Sequence, residues 1–277
     1  MWEAMNCLTG GIDSPFAARI ERGKIGLKGC RVAIVHSPGE ADPQLLAGVR
    51  LFEGLTSAAL AVIAREARRH QVVRGEFLFH ADDPATAVYV LTQGRAKLMQ
   101  ITLEGHQVTL LIVPPGALLG GLAALEDTVY GVWVQAVDDC QALSWSGKTM
   151  ARLLETYPRL AMNILRLIGH RMQDLYARYT ELCTERVEQR VARTLVRLAS
   201  QCGQALDGSV LVTLPVSHQD LAEMVGTTQY SVSRILGRWQ EQGLVEAHRR
   251  QVVISRPHGL VAIAENFPPG LTSADSW

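Results

Sequence analysis

Between Ala161 and Leu182, apolar side chains return alternately four and three residues apart: Ala161, Leu165, Ile168, Met172, Leu175, Tyr179 and Leu182. An a/d stripe held for three heptads requires one long helix, because no other regular backbone brings such positions onto one line. Pro158 stands where that helix can start, since the first turn needs no N–H donor there. Arg171, Asp174, Arg178 and Glu181 fall off the seam. The strict period and the length favour a two-stranded coiled coil over a helix buried in its own chain. The expected dimer interface is therefore Leu165, Ile168, Met172, Leu175, Tyr179 and Leu182. The stripe fails at Arg186, which predicts a hinge near Cys183–Thr184.

Upstream of this helix the pattern is of another kind. The runs RHQVVRGEFLF, TAVYVLTQG, AKLMQITLEG, HQVTLLIVPPG and VWVQAVDDCQALSWS follow one another with turns at Gly75, Gly94, Gly105 and Gly116. Short strands with glycine turns at regular spacing predict an antiparallel roll. Downstream, Val187, Val191, Leu195 and Leu198 share one face of a further helix that ends at Gly203. The expected fold class is α+β. It comprises an N-terminal extension without a sustained period (1–44), an antiparallel β-roll (45–150), a dimerisation helix (151–183), a C-terminal module (184–265) and a tail (266–277).

The 277 residues suit two domains, and 48% hydrophobic residues suffice for two cores. Lys plus Arg balance Asp plus Glu at 27 each, so the overall charge does not point to nucleic acid. From Arg186 to His258, however, nine Arg or Lys face six Asp or Glu. The five cysteines show no C-x-x-C spacing and read as reduced thiols. VTLLIVPPGALLGGLAAL (108–125) is broken by Pro and Gly, a poor membrane span. With no secretory signal visible, a cytoplasmic protein without a membrane partner is expected.

The C-terminal module carries the most specific pattern. Ser217 with Asp220 three residues on resembles a capping box, and SHQDLAEMV supplies a helix burying Leu221, Ala222 and Val225. Gly226 follows where a left-handed residue is needed. Thr228 can cap a second helix in which Val232, Ile235, Leu236 and Trp239 cluster on one side. Gln229, Tyr230, Ser233 and Arg234 cluster nearly opposite. Two short helices about a glycine turn, the second with a polar face, predict a helix-turn-helix. Arg and Gln read guanine and adenine edges in a major groove. GLVEAHRRQVVIS then reads as two strands with a basic turn, a wing against the DNA backbone.

The order of glycine-punctuated roll, heptad helix and DLAEMVGTTQYSVSRIL resembles the CRP/FNR family of transcription regulators over about residues 48–265. The resemblance implies a cyclic-nucleotide-binding-like jelly roll, a long dimerisation helix and a winged helix-turn-helix. It also implies a homodimer on double-stranded palindromic DNA, with RNA polymerase as a partner if the protein activates transcription. Gln229, Tyr230, Ser233 and Arg234 would face bases; Ser217, His218, Thr227 and Thr228 would lie near phosphates. The family often has Arg or Glu at the positions of Gln229 and Tyr230, so a different half-site is expected.

The family's effector site lies in the roll beside the dimer helix, which here implicates Leu118, Leu119, Gly120, Gly121, Tyr130 and Gly131. Gly121 stands where cyclic-nucleotide binders carry Glu, and Tyr130-Gly131 where they carry Arg followed by Ser or Thr. A phosphate among Leu118, Leu119, Leu122 and Leu125 would lack a counter-charge, so no cyclic nucleotide is expected. Cys7 and Cys30 are too far apart for the iron–sulfur cluster of the oxygen-sensing branch. TTQYSVSR, Trp239 and RRQVVISRPHGLVAIAENF are similar to the NnrR- and DNR-like regulators of nitrogen-oxide metabolism. That similarity implies haem b answering nitric oxide, with His80 or His170 as axial ligand and His70 and His106 ranking lower. The alternatives are a ligand-independent regulator and one answering a non-haem small molecule such as an organic acid. Arg95 and Lys97 could supply charge to the latter, though they read as solvated strand residues. With no catalytic triad, metal cluster or phosphate loop in the sequence, an enzyme is not expected.

Overall fold

The computed structural model describes residues 35–37, 41–102, 104–205, 212–248 and 251–266. Helix α1 (Gln44–Ala47), a 3-10 turn (Arg50–Phe52) and helix α2 (Ser57–Arg65) lead into the roll. Thr56 caps α2 by accepting from the Ala59 amide at 3.3 Å, and Leu60, Ile63 and Ala64 turn inward.

The roll is two antiparallel sheets. One carries β1 (Val35–Ser37), β2 (Arg68–Val72), β9 (Cys140–Ser146), β4 (Ala87–Gln93) and β7 (Leu118–Leu119), in that order. The other runs β3 (Phe77–Phe79), β8 (Trp133–Ala136), β5 (Ala96–Ile101) and β6 (Gln107–Val113). The glycines expected at turns, 75, 94, 105 and 116, all have positive φ. At Gly94 a Cβ would also stand 2.5 Å from the Asp139 carbonyl oxygen, so side-chain-bearing residues are doubly disfavoured.

Two expectations need correction. The run from Val132 to Ser146 is two strands, not one: the chain leaves β8 after Ala136 and enters the other sheet at Cys140. Hydrophobic alternation cannot signal a change of sheet. The stretch assigned to the N-terminal extension also contains β1, paired with β2 from Val35↔Gln71 to Ser37↔Arg69. Three residues are too few to show a period. The rest of the extension before Val35, and the tail beyond Asn266, lie outside the described residues.

Between the strands and the long helix stand α3 (Gly121–Leu125) and α4 (Gly147–Thr156), the latter capped by Ser146 accepting from the Thr149 amide at 3.1 Å. Helix α5 (Pro158–Thr184) begins at the proline, as expected. Leu160 and Ile164 enter the roll's core, and the Asn163 amide donates to the Leu51 and Glu53 carbonyls, 2.9 Å each. Its other flank is bare: Leu165, Met172, Leu175, Tyr179 and Leu182 are exposed in a single chain, with Met162 and Tyr176 beside them. Ile168, expected on that seam, is half-buried against the roll instead. It lies four residues after Ile164, which places it on the roll-facing side.

Helix α5 ends at Thr184; Glu185 and Arg186 are extended, and α6 (Val187–Cys202) restarts. The C-terminal module continues with β10 (Gln204–Ala205), β11 (Val212–Leu214), α7 (His218–Val225) and α8 (Gln229–Glu241). The wing strands are β12 (Val245–His248) and β13 (Gln251–Ile254), followed by α9 (Pro257–Ala264). The module's sheet order is β10-β11-β13-β12, and α9 packs along α6. The expected wing hairpin is present, pairing Val245↔Ile254 through His248↔Gln251; Arg249 and Arg250 lie outside the described residues. A second core forms around Val191, Leu195, Leu221, Leu236 and Trp239, and Ile112 of β6 belongs to it. Among the described residues no helix is long and apolar enough to cross a membrane.

Candidate nucleic-acid interface and effector pocket

Helix α7 is closed at both ends by its own sequence. The Ser217 hydroxyl accepts from the Asp220 amide at 3.1 Å, and the Asp220 carboxylate accepts from the Ser217 amide at 3.2 Å. At the other end Gly226 is left-handed, φ 65° and ψ 52°, and the Thr227 amide donates to the Ala222 carbonyl at 3.0 Å. A Cβ on Gly226 would lie 3.2 Å from Leu182 Cδ1, so the end of α5 rests on this turn. Thr228 then caps α8 by accepting from the Ser231 amide at 3.2 Å.

Val232, Ile235, Leu236 and Trp239 are buried, and the Trp239 indole donates to Glu188 of α6 at 3.1 Å. With that face anchored, Gln229, Tyr230 and Arg234 are turned to solvent, Tyr230 being 77% exposed. Ser233 and His218 are brought together: His218 Nδ1 and Ser233 Oγ lie 2.9 Å apart, both half-buried. Burial pushes the His218 pKa down. A neutral imidazole tying α7 to α8 was not foreseen for a residue expected near phosphates. Its signal was the spacing that lets the first residue of α7 meet the fifth of α8.

In the roll, a cavity of about 210 Å³ opens beside α5. Leu118, Gly120, Gly121, Tyr130 and Gly131 border it, as does Leu125; Leu119 does not, being packed in the core on the strand pair β4–β7. The Leu122 side chain lies outside the described residues. Tyr130 stacks on Phe79 with ring centroids 3.9 Å apart, and its hydroxyl donates to the Ala87 carbonyl at 2.8 Å. Burial raises its pKa, so the phenol stays neutral.

Ile164, Ile168 and Arg171 of α5 form the opposite wall. Arg171 corrects the expectation that an anion here would find no counter-charge. The residue as a whole is exposed, yet its Nη2 donates to the Leu118 carbonyl at 2.6 Å, and desolvation lowers its pKa. Helical spacing from Ile164 and Ile168 could have found it, since i, i+4 and i+7 share a face.

The expected charge donors at the start of β5 are engaged elsewhere. Arg95 grips Asp138 through Nε at 2.5 Å and Nη2 at 3.1 Å. Lys97, read as a solvated strand residue, pairs with Asp220 of α7 at 3.1 Å, both side chains largely buried. The two histidines singled out as metal ligands stand away from the cavity wall. His80 packs against Phe77 and Trp133 with Nδ1 3.5 Å from Asp83, and His170 is exposed on α5. No histidine is on the described wall. His70, buried, meets Ser144 Oγ at 2.6 Å inside the first sheet.

Two domain models match the chain: a "Cyclic nucleotide-binding domain" over residues 69–157 and a "Crp-like helix-turn-helix domain" over residues 189–263. The CRP-like cAMP-activated global transcriptional regulator of Mycobacterium tuberculosis is 22% identical over 212 residues, 76% of this chain and 95% of that protein. The cyclic AMP receptor protein of Thermus thermophilus is 27% identical over 198 residues, covering 72% and 88%. The solved structure of the c-di-GMP responsive global regulator CLP of Xanthomonas campestris shares the fold. Its TM-score is 0.63 at 22% identity, over 72% of this chain and 99% of that one. Regulators of this kind bind DNA and act as dimers. A roll matched to one model, a reading module matched to the other and relatives matched over most of their length agree: the chain belongs to the CRP/FNR family of DNA-binding transcription regulators.

Proposed function

We propose that the chain works as a homodimer that reads palindromic DNA through α8 and answers a small, largely apolar effector bearing one anionic group, held in the roll cavity by Arg171. The observation that carries the effector half is the Arg171 guanidinium on an otherwise apolar wall, bonded to the neutral Leu118 carbonyl and to no carboxylate among the described residues. The guanidinium gains from exchanging a neutral carbonyl for an anion, because attraction between two full charges is then added to the hydrogen bond. A cavity of about 210 Å³ is below the ~300–1,000 Å³ usual for larger ligands, which favours a small molecule. The usual grip on a cyclic nucleotide has no carboxylate at Gly121 and no arginine at Tyr130. The dimeric half rests on the bare apolar flank of α5. If the protein activates transcription, RNA polymerase is its further partner.

The competing effector is haem b with nitric oxide, as in the nitrogen-oxide regulators that the recognition helix resembles. It asks for an imidazole at the cavity, and both candidate histidines stand outside it. One experiment separates the readings. Thermal unfolding is followed with a panel of small carboxylates and with cyclic AMP, for the wild type and Arg171→Met. Absorption spectra are taken with haemin before and after nitric oxide. Stabilisation by a carboxylate, lost in Arg171→Met, is the expected result. A stoichiometric Soret band that shifts with nitric oxide and weakens on replacing His80 or His170 would overturn it in favour of the gas sensor. Unfolding and spectra indifferent to every addition would instead favour a ligand-independent regulator.

A further inference from the structure

We infer that the β5–β6 hairpin of the roll clamps the first helix of the DNA-reading module through Lys97 and Thr109, and that this clamp sets where the two reading helices of a dimer stand on a palindrome. Helix α7 is gripped from two sides. Leu221, Ala222 and Val225 enter the module's own core, while Asp220 and Glu223, three residues apart on the opposite face, meet the roll. Lys97 Nζ donates to Asp220 at 3.1 Å. Thr109 Oγ1 donates to Glu223 Oε2 at 2.5 Å, and Gln107 Nε2 adds a bond to the same oxygen at 3.3 Å. Beneath these, Ile112 of β6 is buried with Leu198 and Leu221 of the module.

Such a contact differs from a casual surface pair. Thr109 is 1% exposed, and both partners of the Lys97–Asp220 pair are largely withdrawn from water. Removing one partner leaves the other without its bond in a site where solvent replaces it poorly. The clamp also leaves the reading face free, since Gln229, Tyr230 and Arg234 all remain exposed. It therefore positions the module without blocking it, and the docked arrangement is the one competent for DNA.

The same helix face that borders the effector cavity supports the clamp. Arg171 donates to the Leu118 carbonyl and Arg178, one heptad further on, to the Leu110 carbonyl, each at 2.6 Å. Leu110 adjoins Thr109 on β6.

The spacing role rests on the homodimer proposed above, so the test reads both. A palindromic sequence is selected from random duplex DNA with the wild-type protein. Affinity is then measured by fluorescence anisotropy on that palindrome and on a single half-site. The variants are Thr109→Val, Thr109→Ser and Lys97→Met, all on the roll and away from the DNA-reading residues. Sedimentation gives the oligomeric state and circular dichroism checks the fold. Thr109→Val and Lys97→Met are expected to lose about tenfold on the palindrome, with half-site affinity within about twofold of wild type. Thr109→Ser, which keeps the hydroxyl, retains the wild-type affinity. Unchanged palindrome affinity in Thr109→Val, or equal loss on both DNAs, overturns the clamp. A wild type that sediments as a monomer overturns the dimeric reading, and the spacing role with it.

Discussion

His218 illustrates how a residue's function follows from its surroundings and not from its place in a motif. At the first position of α7 it could have pointed toward a phosphate, but its ring is folded against Ser233. Burial depresses its folded pKa below the unfolded value of about 6.5. The unfolded chain then binds the proton more readily than the folded one. Stability from this residue is full above pH ~6.5 and falls as the pH drops below it, toward the folded pKa. Thermal unfolding should therefore show a steeper loss of Tm between pH 7 and 5 for the wild type than for His218→Gln. Asp220 works at a lower pH. Burial opposes its ionisation, but the Ser217 hydrogen bond and the Lys97 cation outweigh that and hold its carboxyl below the usual range.

Among the elements, the turn between α7 and α8 is the most constrained. Gly226 combines a left-handed backbone with a neighbour, Leu182, that belongs to the end of α5. Gly226→Ala is expected to cost about 1–2 kcal/mol from the backbone alone. The Leu182 methyl must also give way by a few tenths of an ångström. Chemical denaturation of Gly226→Ala against wild type measures the sum, and a stability change near zero would contradict a left-handed residue at this turn. The caps of α7 and α8 and the glycine between them were legible in the sequence, because each is set by a local hydrogen bond or a local φ. The β8–β9 split and the three-residue β1 were not, since strand pairing depends on partners far along the chain.

At the scale of the molecule, the described residues form two cores joined by α5 and α6, with hydrogen bonds from β5 and β6 to α7 running between them. The flank of α5 from Met162 to Leu182 leaves seven large apolar side chains exposed, with Tyr179, 68% exposed, toward its C-terminal end. Tyr179→Glu would set two like charges across a two-fold axis. It is expected to shift the protein toward monomer in sedimentation and to weaken binding to a palindrome by about 100-fold, through loss of the second reading head. Half-site binding should persist. Retained dimerisation in this variant would place the interface elsewhere.

The sequence by itself determined the elements whose causes are local: the heptad helix from its proline onward, the glycine turns, the helix-turn-helix and the side of α8 that meets solvent. Periodicity and capping act over a few residues, so one chain suffices to read them. Only the tertiary structure decided which neighbours those elements acquire. It turned Ile168 and Arg171 of the helix toward the cavity, took Lys97 out of solvent to meet Asp220, and paired His218 with Ser233. Each of these contacts joins residues distant in sequence or on different elements, and long-range proximity leaves no periodic trace in the chain. The charge and hydrogen-bonding capacity of a side chain are written in its identity; what they are used for is set by which element folds against it.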